Sequence, residues 1–260
     1  MKDQIGDTMK SITLKPYVRF FIIIFIIFAG LIFVTGLNGQ YKLSEEQAVQ
    51  LRSARTVRII FDKPGGSASH VTFPVVETVK SLFAPAGLSV APSGGDMVFK
   101  ISFTARANSR RYASLAGGVA QTGYTGASVS GNVYLLVGEE QFLKKYFSGK
   151  EGTKGSIAKG TYTKPSHAPF KKAFLNSSIR KTVMEILCMF NPNPTDLLIS
   201  YLGSGDWRIR KEAVTLLASK KEPRVLDALH RVVSDESNEV RLQLAQTLGR
   251  LRNPTSIGPR

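Results

Sequence analysis

The side chains that most often carry chemistry are scarce in this sequence and stand apart from one another. Cys188 is the only cysteine, so neither a disulfide nor a zinc site built on paired cysteines is predicted. The three histidines, His70, His167 and His230, lie far apart in sequence and lack the short spacing of metal ligands. The sequence also lacks a serine-hydrolase elbow, a zinc-protease helix motif and a phosphate loop. We therefore predict no catalytic, cofactor-binding or metal-binding residue, and no enzyme activity.

Positive charge is the strongest feature of the composition. The chain has 35 Lys and Arg against 19 Asp and Glu, a formal net charge of +16. Eight lysines and one acid, Glu151, fall between Lys144 and Lys172 among Gly, Ser, Thr and Pro, which predicts a mobile loop or linker over residues 144–175. Lys144 and Lys145 are possible partner-binding residues, for anionic lipid or another polyanion. A solvated charged loop without a dedicated partner is the alternative.

An uncharged apolar segment stands near the N-terminus. Residues 20–37 are 18 residues without a charge, enough for a helix of roughly 27 Å, close to the thickness of a bilayer core. Basic residues precede the segment and Glu45 follows it, so the positive-inside rule places residues 1–19 in the cytoplasm and exports the rest. We predict a single transmembrane anchor, with a cleaved signal peptide and secretion as the alternative. Export separates the chain from nucleic acid, which is therefore not predicted as a partner.

Short β-type runs alternate with one helix between residues 41 and 143. Residues 55–61 alternate polar and apolar side chains as a half-buried strand does, and residues 74–84 have one apolar helical face. Three further strands are predicted over residues 88–91, 97–105 and 127–137. The predicted order, β-α-β-β-β, indicates an α+β domain over residues 41–143.

Part of this domain has a recognisable pattern. A helix that ends in Ala86-Gly87, Asp96 leading into a strand, and the later run from Tyr124 to Val133 together resemble small α+β modules of exported bacterial envelope lipoproteins. The resemblance implies a location in the bacterial cell envelope and a binding or assembly role, and it carries over no catalytic residue. The lipid-bearing cysteine of that group is missing, so the predicted membrane anchor would take the place of the lipid.

A repeat with a period of 30 to 31 residues occupies the C-terminal third of the chain. Residues 209–217 align with residues 240–248 at an offset of 31, and residues 179–187 form a third copy 30 residues upstream. This period suits two antiparallel helices per unit, and a single pair cannot bury its apolar face alone, so the units must stack. The predicted fold is an α+β domain followed by an all-α helical repeat over residues 176–254. The predicted helices cover residues 178–190, 195–202, 207–219, 224–233 and 238–251.

The repeated motif is an acidic turn followed by a branched residue and an arginine. It occurs as Asp235, Val240 and Arg241, and again as Asp206, Ile209 and Arg210, where Ser204 stands at the position of the motif's first acid. The motif resembles a HEAT repeat, in the short form also found in phycobilin lyase subunits. The resemblance implies that these residues, together with Arg180 of the first copy, are structural and that the arginines tie neighbouring turns together.

The resemblance also bears on function. It implies a non-catalytic protein-binding scaffold with a partner of unknown identity, because stacked helical repeats commonly offer an extended binding surface. The alternative is a lyase-like enzyme, or an accessory subunit related to the bilin lyases. Trp207 begins a helix and is a possible partner-binding residue, whereas packing between helices is the alternative role for its side chain.

Overall fold

The computed structural model describes residues 43–112, 121–152, 167–220 and 222–252. The chain divides into two compact units, residues 1–42 and residues 43–260, and every element described below belongs to the second unit. The predicted cytoplasmic tail and the predicted anchor, residues 1–37, lie outside the described residues.

A mixed sheet organises the N-terminal part of the second unit. Its six strands are β1 (Thr56–Phe61), β2 (Gly65–Gly66), β3 (Ser89–Ala91), β4 (Met97–Tyr112), β5 (Gln121–Val137) and β6 (Glu140–Gly152). The strand order is β3-β1-β4-β5-β6, and β2 pairs with β4 beyond the end of β1. Strand β1 runs parallel to β3 and β4, whereas β4, β5 and β6 pair antiparallel.

Eight α-helices accompany the sheet in the described part of the chain. They are α1 (Glu45–Ser53), α2 (Val75–Val79), α3 (His167–Leu175), α4 (Ile179–Phe190), α5 (Pro194–Ser200), α6 (Trp207–Leu217), α7 (Pro223–His230) and α8 (Asn238–Arg252). Local sequence sets several of their starts. Ser44 and Gln47 form a reciprocal capping box at α1, with hydrogen bonds of 3.0 and 3.1 Å. Pro194 and Pro223 open α5 and α7, where the missing N–H would have no partner in the helix.

The side chains of the long strands alternate between two faces. In β4 the odd-numbered residues 97–105 are buried, while the even-numbered residues 98–106 are partly or fully exposed. The buried face packs against α3 and α4, and the rings of Phe103, Phe147 and Phe174 lie with their centroids 5.1 to 6.4 Å apart. One face of the sheet therefore holds the core, and the other carries polar side chains.

Helix α4 joins the sheet to the C-terminal helices. At the free edge of β6 the Ser178 amide donates to the Ser148 carbonyl at 2.9 Å, and the Ser148 amide donates to the Ser178 hydroxyl at 3.2 Å. The other side of α4 contacts α5 and α6. The buried Tyr201 hydroxyl, just after α5, donates to the Leu82 carbonyl at 2.5 Å. The apolar side chains of the sheet and of the C-terminal helices consequently form one continuous core.

This continuous core corrects the predicted fold class. An α+β domain followed by an all-α repeat, with one transmembrane helix ahead of them, is wrong for the described residues. These contain a mixed sheet of six strands whose core runs on into the C-terminal helices. Among them, no helix has both the length and the apolar character needed to cross a membrane.

The mobile loop predicted over residues 144–175 is also wrong wherever the structure describes it. Residues 144–152 belong to β6, and residues 167–175 form α3. Lysines fit this strand because every second side chain points to solvent. The inward Lys145 is accommodated because its ammonium group lies 2.9 Å from the Glu185 carboxylate on α4.

Leu217 tests the core of the helical part. Its side chain is fully buried on α6, whereas Leu242 on α8 is 61% exposed. Leu217→Ala should lower the free energy of unfolding by about 2 to 5 kcal/mol, because the substitution leaves a cavity. Leu242→Ala is the matched control and should change that free energy by less than about 0.5 kcal/mol. Urea denaturation of the full chain measures both, and equal losses in the two variants would contradict a core position for Leu217.

Candidate functional site

Arg210 on α6 connects two successive helical units. Its Nε donates to Asp235 Oδ2 at 2.7 Å and its Nη2 donates to Asp235 Oδ1 at 2.8 Å, a two-pronged contact. Its Nη1 donates to the Ser204 carbonyl at 2.8 Å. The two charged side chains are only 8% and 6% exposed. Arg210 therefore links the turn before its own helix, α6, to the turn before α8, which is the second helix of the next unit.

Arg180 on α4 repeats this arrangement one unit earlier. Its Nη2 lies 3.0 Å from Asp206 Oδ2, and its Nη1 donates to the Leu175 carbonyl at 2.8 Å. Its side chain is 5% exposed, and its buried Nε has no hydrogen-bond partner among the described residues. This contact has a single prong where that of Arg210 has two.

Arg241 on α8 occupies the equivalent position of the last unit. It is exposed, and it donates to the Asp235 carbonyl and to the Asn238 side-chain oxygen. All three arginines thus donate to a carbonyl five or six residues before them in the chain. Among the described residues, Arg180 and Arg210 also reach a carboxylate of the following unit. We call these two contacts the Arg–Asp ladder.

The aspartates of the ladder also begin the helices. Asp206 is the N-cap of α6, where its Oδ1 accepts from the Arg208 amide at 2.9 Å. Asp235 accepts from the Ser237 amide at 2.8 Å just before α8. Each carboxylate therefore orders its own turn and binds the arginine of the preceding unit.

Electrostatics differ between the two ladder contacts. The hydrogen bond from Arg210 holds the pKa of Asp235 below its ordinary value, and burial only partly opposes this shift. For Arg180, burial lowers the pKa of the guanidinium and the neighbouring Asp206 opposes the shift. Asp235 is consequently held in its charged form.

The other predicted site residues have varied surroundings. Ile209 and Val240 are buried, as the apolar positions of a packed motif would be. Trp207 is partly buried against the core, and the Arg208 guanidinium lies 4.4 Å from its ring centroid. Lys144 and Lys145 lie on opposite faces of the sheet: Lys144 is exposed, and Lys145 binds Glu185. The two lysines therefore do not form one binding site.

The second helices of the three units, α4, α6 and α8, carry exposed side chains at equivalent positions. Lys181 on α4, Lys211 on α6 and Leu242 on α8 directly follow the three arginines. Thr215 and Gln246 lie one helical turn beyond Lys211 and Leu242. All five are partly or fully exposed, and their helices contact one another in sequence order. We call these five residues the second-helix stripe.

Two histidines that are distant in sequence meet in the structure. The ring centroids of His70 and His167 lie 5.1 Å apart, and both side chains are exposed. His70 also lines a groove of about 400 Å³ together with Phe61 and Phe73. No three His, Cys, Asp or Glu residues come together as a metal-binding group in the described ranges. Sequence spacing gave no signal for this pair, because long-range folding brings its members together.

Comparison with known proteins bears on the helical part alone. A family model described as HEAT repeats matches residues 195–258, which include nearly all of α5 and the whole of α6, α7 and α8. The match covers about a quarter of the 260 residues and supports HEAT repeats in this chain. No curated protein and no solved structure matches. The resemblance of the middle segment to envelope lipoprotein modules finds no support in these comparisons.

The Arg–Asp ladder can be tested by breaking one contact. Arg210→Met should lower the free energy of unfolding by about 3 to 5 kcal/mol, because it leaves the Asp235 carboxylate buried without its partner. The double variant Arg210→Met/Asp235→Leu should regain part of that loss, since it removes both charges but also removes the hydrogen bond from the Ser237 amide to Asp235. Arg224→Gln, in the exposed contact with Asp196, is the control and should have no measurable effect. Urea denaturation gives all three values, and an Arg210→Met variant as stable as the control would refute the ladder's structural role.

Acidification provides a second test of the same contact. Because the pKa of Asp235 is lowered in the folded state, its ionisation stabilises the fold above the unfolded pKa of about 3.9, and this contribution is lost as pH falls through the folded value. Asp235→Asn cannot ionise. The difference in unfolding free energy between wild type and Asp235→Asn should therefore be largest near neutral pH and shrink below about pH 4. A difference that stays constant from pH 7 to about pH 2.5 would show that the charge on Asp235 contributes nothing.

Proposed function

We propose that this chain is a non-catalytic scaffold that binds a protein partner through its HEAT repeats. The observation that carries the proposal is the Arg–Asp ladder, in which Arg180 binds Asp206 and Arg210 binds Asp235. The Arg210–Asp235 contact is buried and the Arg180–Asp206 contact is partly buried, and together they hold α4, α6 and α8 in a fixed register. Stacked repeats of this kind expose an extended surface that suits the binding of another protein.

The ladder favours binding because it orders the surface in advance. A surface that is already rigid loses little conformational entropy when a partner binds. Helix α4, which carries Lys181 as the first residue of the stripe, is itself packed against the sheet. The second-helix stripe is thus supported both by its own repeats and by the core of the sheet.

The chemistry of the stripe indicates the kind of partner. Lys211 supplies positive charge, the charge of Lys181 is balanced in part by Glu185 at 3.8 Å, and Leu242 supplies an apolar side chain that is 61% exposed. The net charge of +16 attracts acidic proteins at long range. We propose an acidic partner segment with an apolar side chain that packs on Leu242.

Cys188 supports a role without catalysis. Burial raises the pKa of its thiol to about 11, so the thiol stays protonated and weakly nucleophilic at neutral pH. The lyase alternative rests on likeness between repeats alone, and function does not follow from fold. Export of residues 41–260 remains part of the proposal, supported by the uncharged residues 20–37 and by the basic residues before them.

Site-specific photocrosslinking tests the stripe directly. A photoreactive amino acid replaces Leu242 in the full chain. As the control, the same amino acid replaces Leu226, which is 44% exposed on α7, the first helix of the same repeat unit. In an extract of the source cells, position 242 should give a discrete adduct and position 226 should not. An excess of unlabelled wild-type chain should suppress that adduct.

The competitor chains provide the control. Lys211→Glu/Leu242→Asp should fail to suppress the adduct, because it reverses a charge and removes the apolar contact, whereas Leu226→Asp should compete like wild type. Thermal unfolding of each competitor checks that it is folded. Equal adducts from both positions, or equal competition by both variants, would count against the second-helix stripe as the binding surface.

A further inference from the structure

The sheet has one face that lies away from the helices of the core. We call the even-numbered residues 100–106, 128–134 and 144–150 on this side the open face; all are partly or fully exposed. The registers of β4 with β5 and of β5 with β6 align them in four rows across three strands. The first row is Lys100–Tyr134–Lys144, and the fourth is Arg106–Ser128–Lys150. The two rows between carry Ser, Thr and Asn side chains and Tyr146.

The open face is strongly basic. Its cations lie at the ends of the first and fourth rows, and the ammonium group of Lys100 lies 3.4 Å from the Asp62 carboxylate. The helix-facing side differs, since its lysines meet carboxylates: Lys145 lies 2.9 Å from Glu185, and Lys172 lies 2.6 Å from Glu151. The charge of the open face is therefore balanced only in part by the protein itself, which favours an anionic ligand.

The spacing of the cations gives the shape of that ligand. Alternate residues of a strand lie about 6.7 Å apart, so the first and fourth rows are about 20 Å apart. Strands β4 and β6 flank β5, and two strand spacings separate them by about 10 Å. A strip of these dimensions, with a cation at each of its four corners, fits one extended polymer chain.

Aromatic and hydroxyl groups occupy the strip between the cations. Tyr146 is 64% exposed, and the Lys144 ammonium lies 5.6 Å from the centroid of the Tyr134 ring. Tyr134, Lys100 and Ser102 line a depression of about 260 Å³. A tyrosine ring offers a flat surface on which another ring can pack, and hydroxyl and amide groups can exchange hydrogen bonds with a polar ligand.

We propose that the open face binds a single chain of an acidic polysaccharide. The cations pair with its carboxylate or sulfate groups, Tyr134 and Tyr146 pack against sugar rings, and the Ser, Thr and Asn side chains of the middle rows bind sugar hydroxyls. A single-stranded nucleic acid would use the cations and tyrosines but has fewer hydroxyl groups to satisfy the middle rows. A flat anionic membrane would need neither the narrow strip nor the tyrosine rings.

Binding of the full chain to heparin and to polygalacturonate tests the proposal, with neutral dextran as the uncharged polymer. Lys100→Gln/Lys144→Gln should weaken binding to both acidic polymers by about tenfold or more and reduce its dependence on salt. Lys80→Gln/Lys171→Gln removes the same charge from exposed positions outside the open face and should bind like wild type. Tyr146→Ala should weaken binding, while Tyr146→Phe keeps the ring and should retain it.

Three outcomes would overturn the proposal. Equal losses in the two double lysine variants would show that overall charge, not the open face, drives binding. An unchanged affinity in Tyr146→Ala would remove the packing of rings from the site. Tighter, Tyr146-dependent binding to oligothymidylate, or to vesicles containing anionic lipid, would assign the face to nucleic acid or to membrane instead. Thermal unfolding of each variant confirms that the surface substitutions leave the fold intact.

Discussion

Helix α4 must bury side chains on two sides at once, and the arrangement of the second unit depends on this requirement. Of its residues, Ile179, Val183, Met184, Ile186 and Leu187 are fully buried. One side of the helix meets β5, β6 and the short helices next to the sheet, and the other meets α5 and α6. The same helix places Arg180, the first arginine of the ladder. Because α4 packs against both the sheet and the repeats, its position relative to the sheet determines where the later repeats lie.

The sequence predicted the elements whose signal is local. The strands predicted over residues 55–61, 88–91, 97–105 and 127–137 correspond to β1, β3, β4 and β5, and the repeat period located the second helices. Strand β6 was missed because lysine and glycine were interpreted as signs of a loop. Two long-range facts make that composition suit a strand. Lys145 meets Glu185, and a side chain at Gly149 would come within 2.3 Å of the Ala173 carbonyl.

The candidate sites also differ in whether local sequence or long-range contacts define them. The arginines and aspartates of the ladder stand out in the sequence, because a fixed period and a paired motif mark them. The open face and the meeting of His70 with His167 do not, because each depends on which strand or segment lies beside another. Alternation within one strand identifies an exposed side chain, but only the register between strands places Lys100, Tyr134 and Lys144 in one row. Surfaces built across strands therefore need the fold before they can be identified.

The sharing of α4 also bears on how the chain folds. A free-standing helical array has only nearest-neighbour contacts, so folding can begin in any repeat and spread in either direction. Here α4, which begins the array, also packs against β5 and β6, whereas α8 packs on α6. The sheet therefore supports the array at the α4 end. Local opening is then easiest at the α8 end, farthest from the sheet, so the two ends of one small array differ in lifetime.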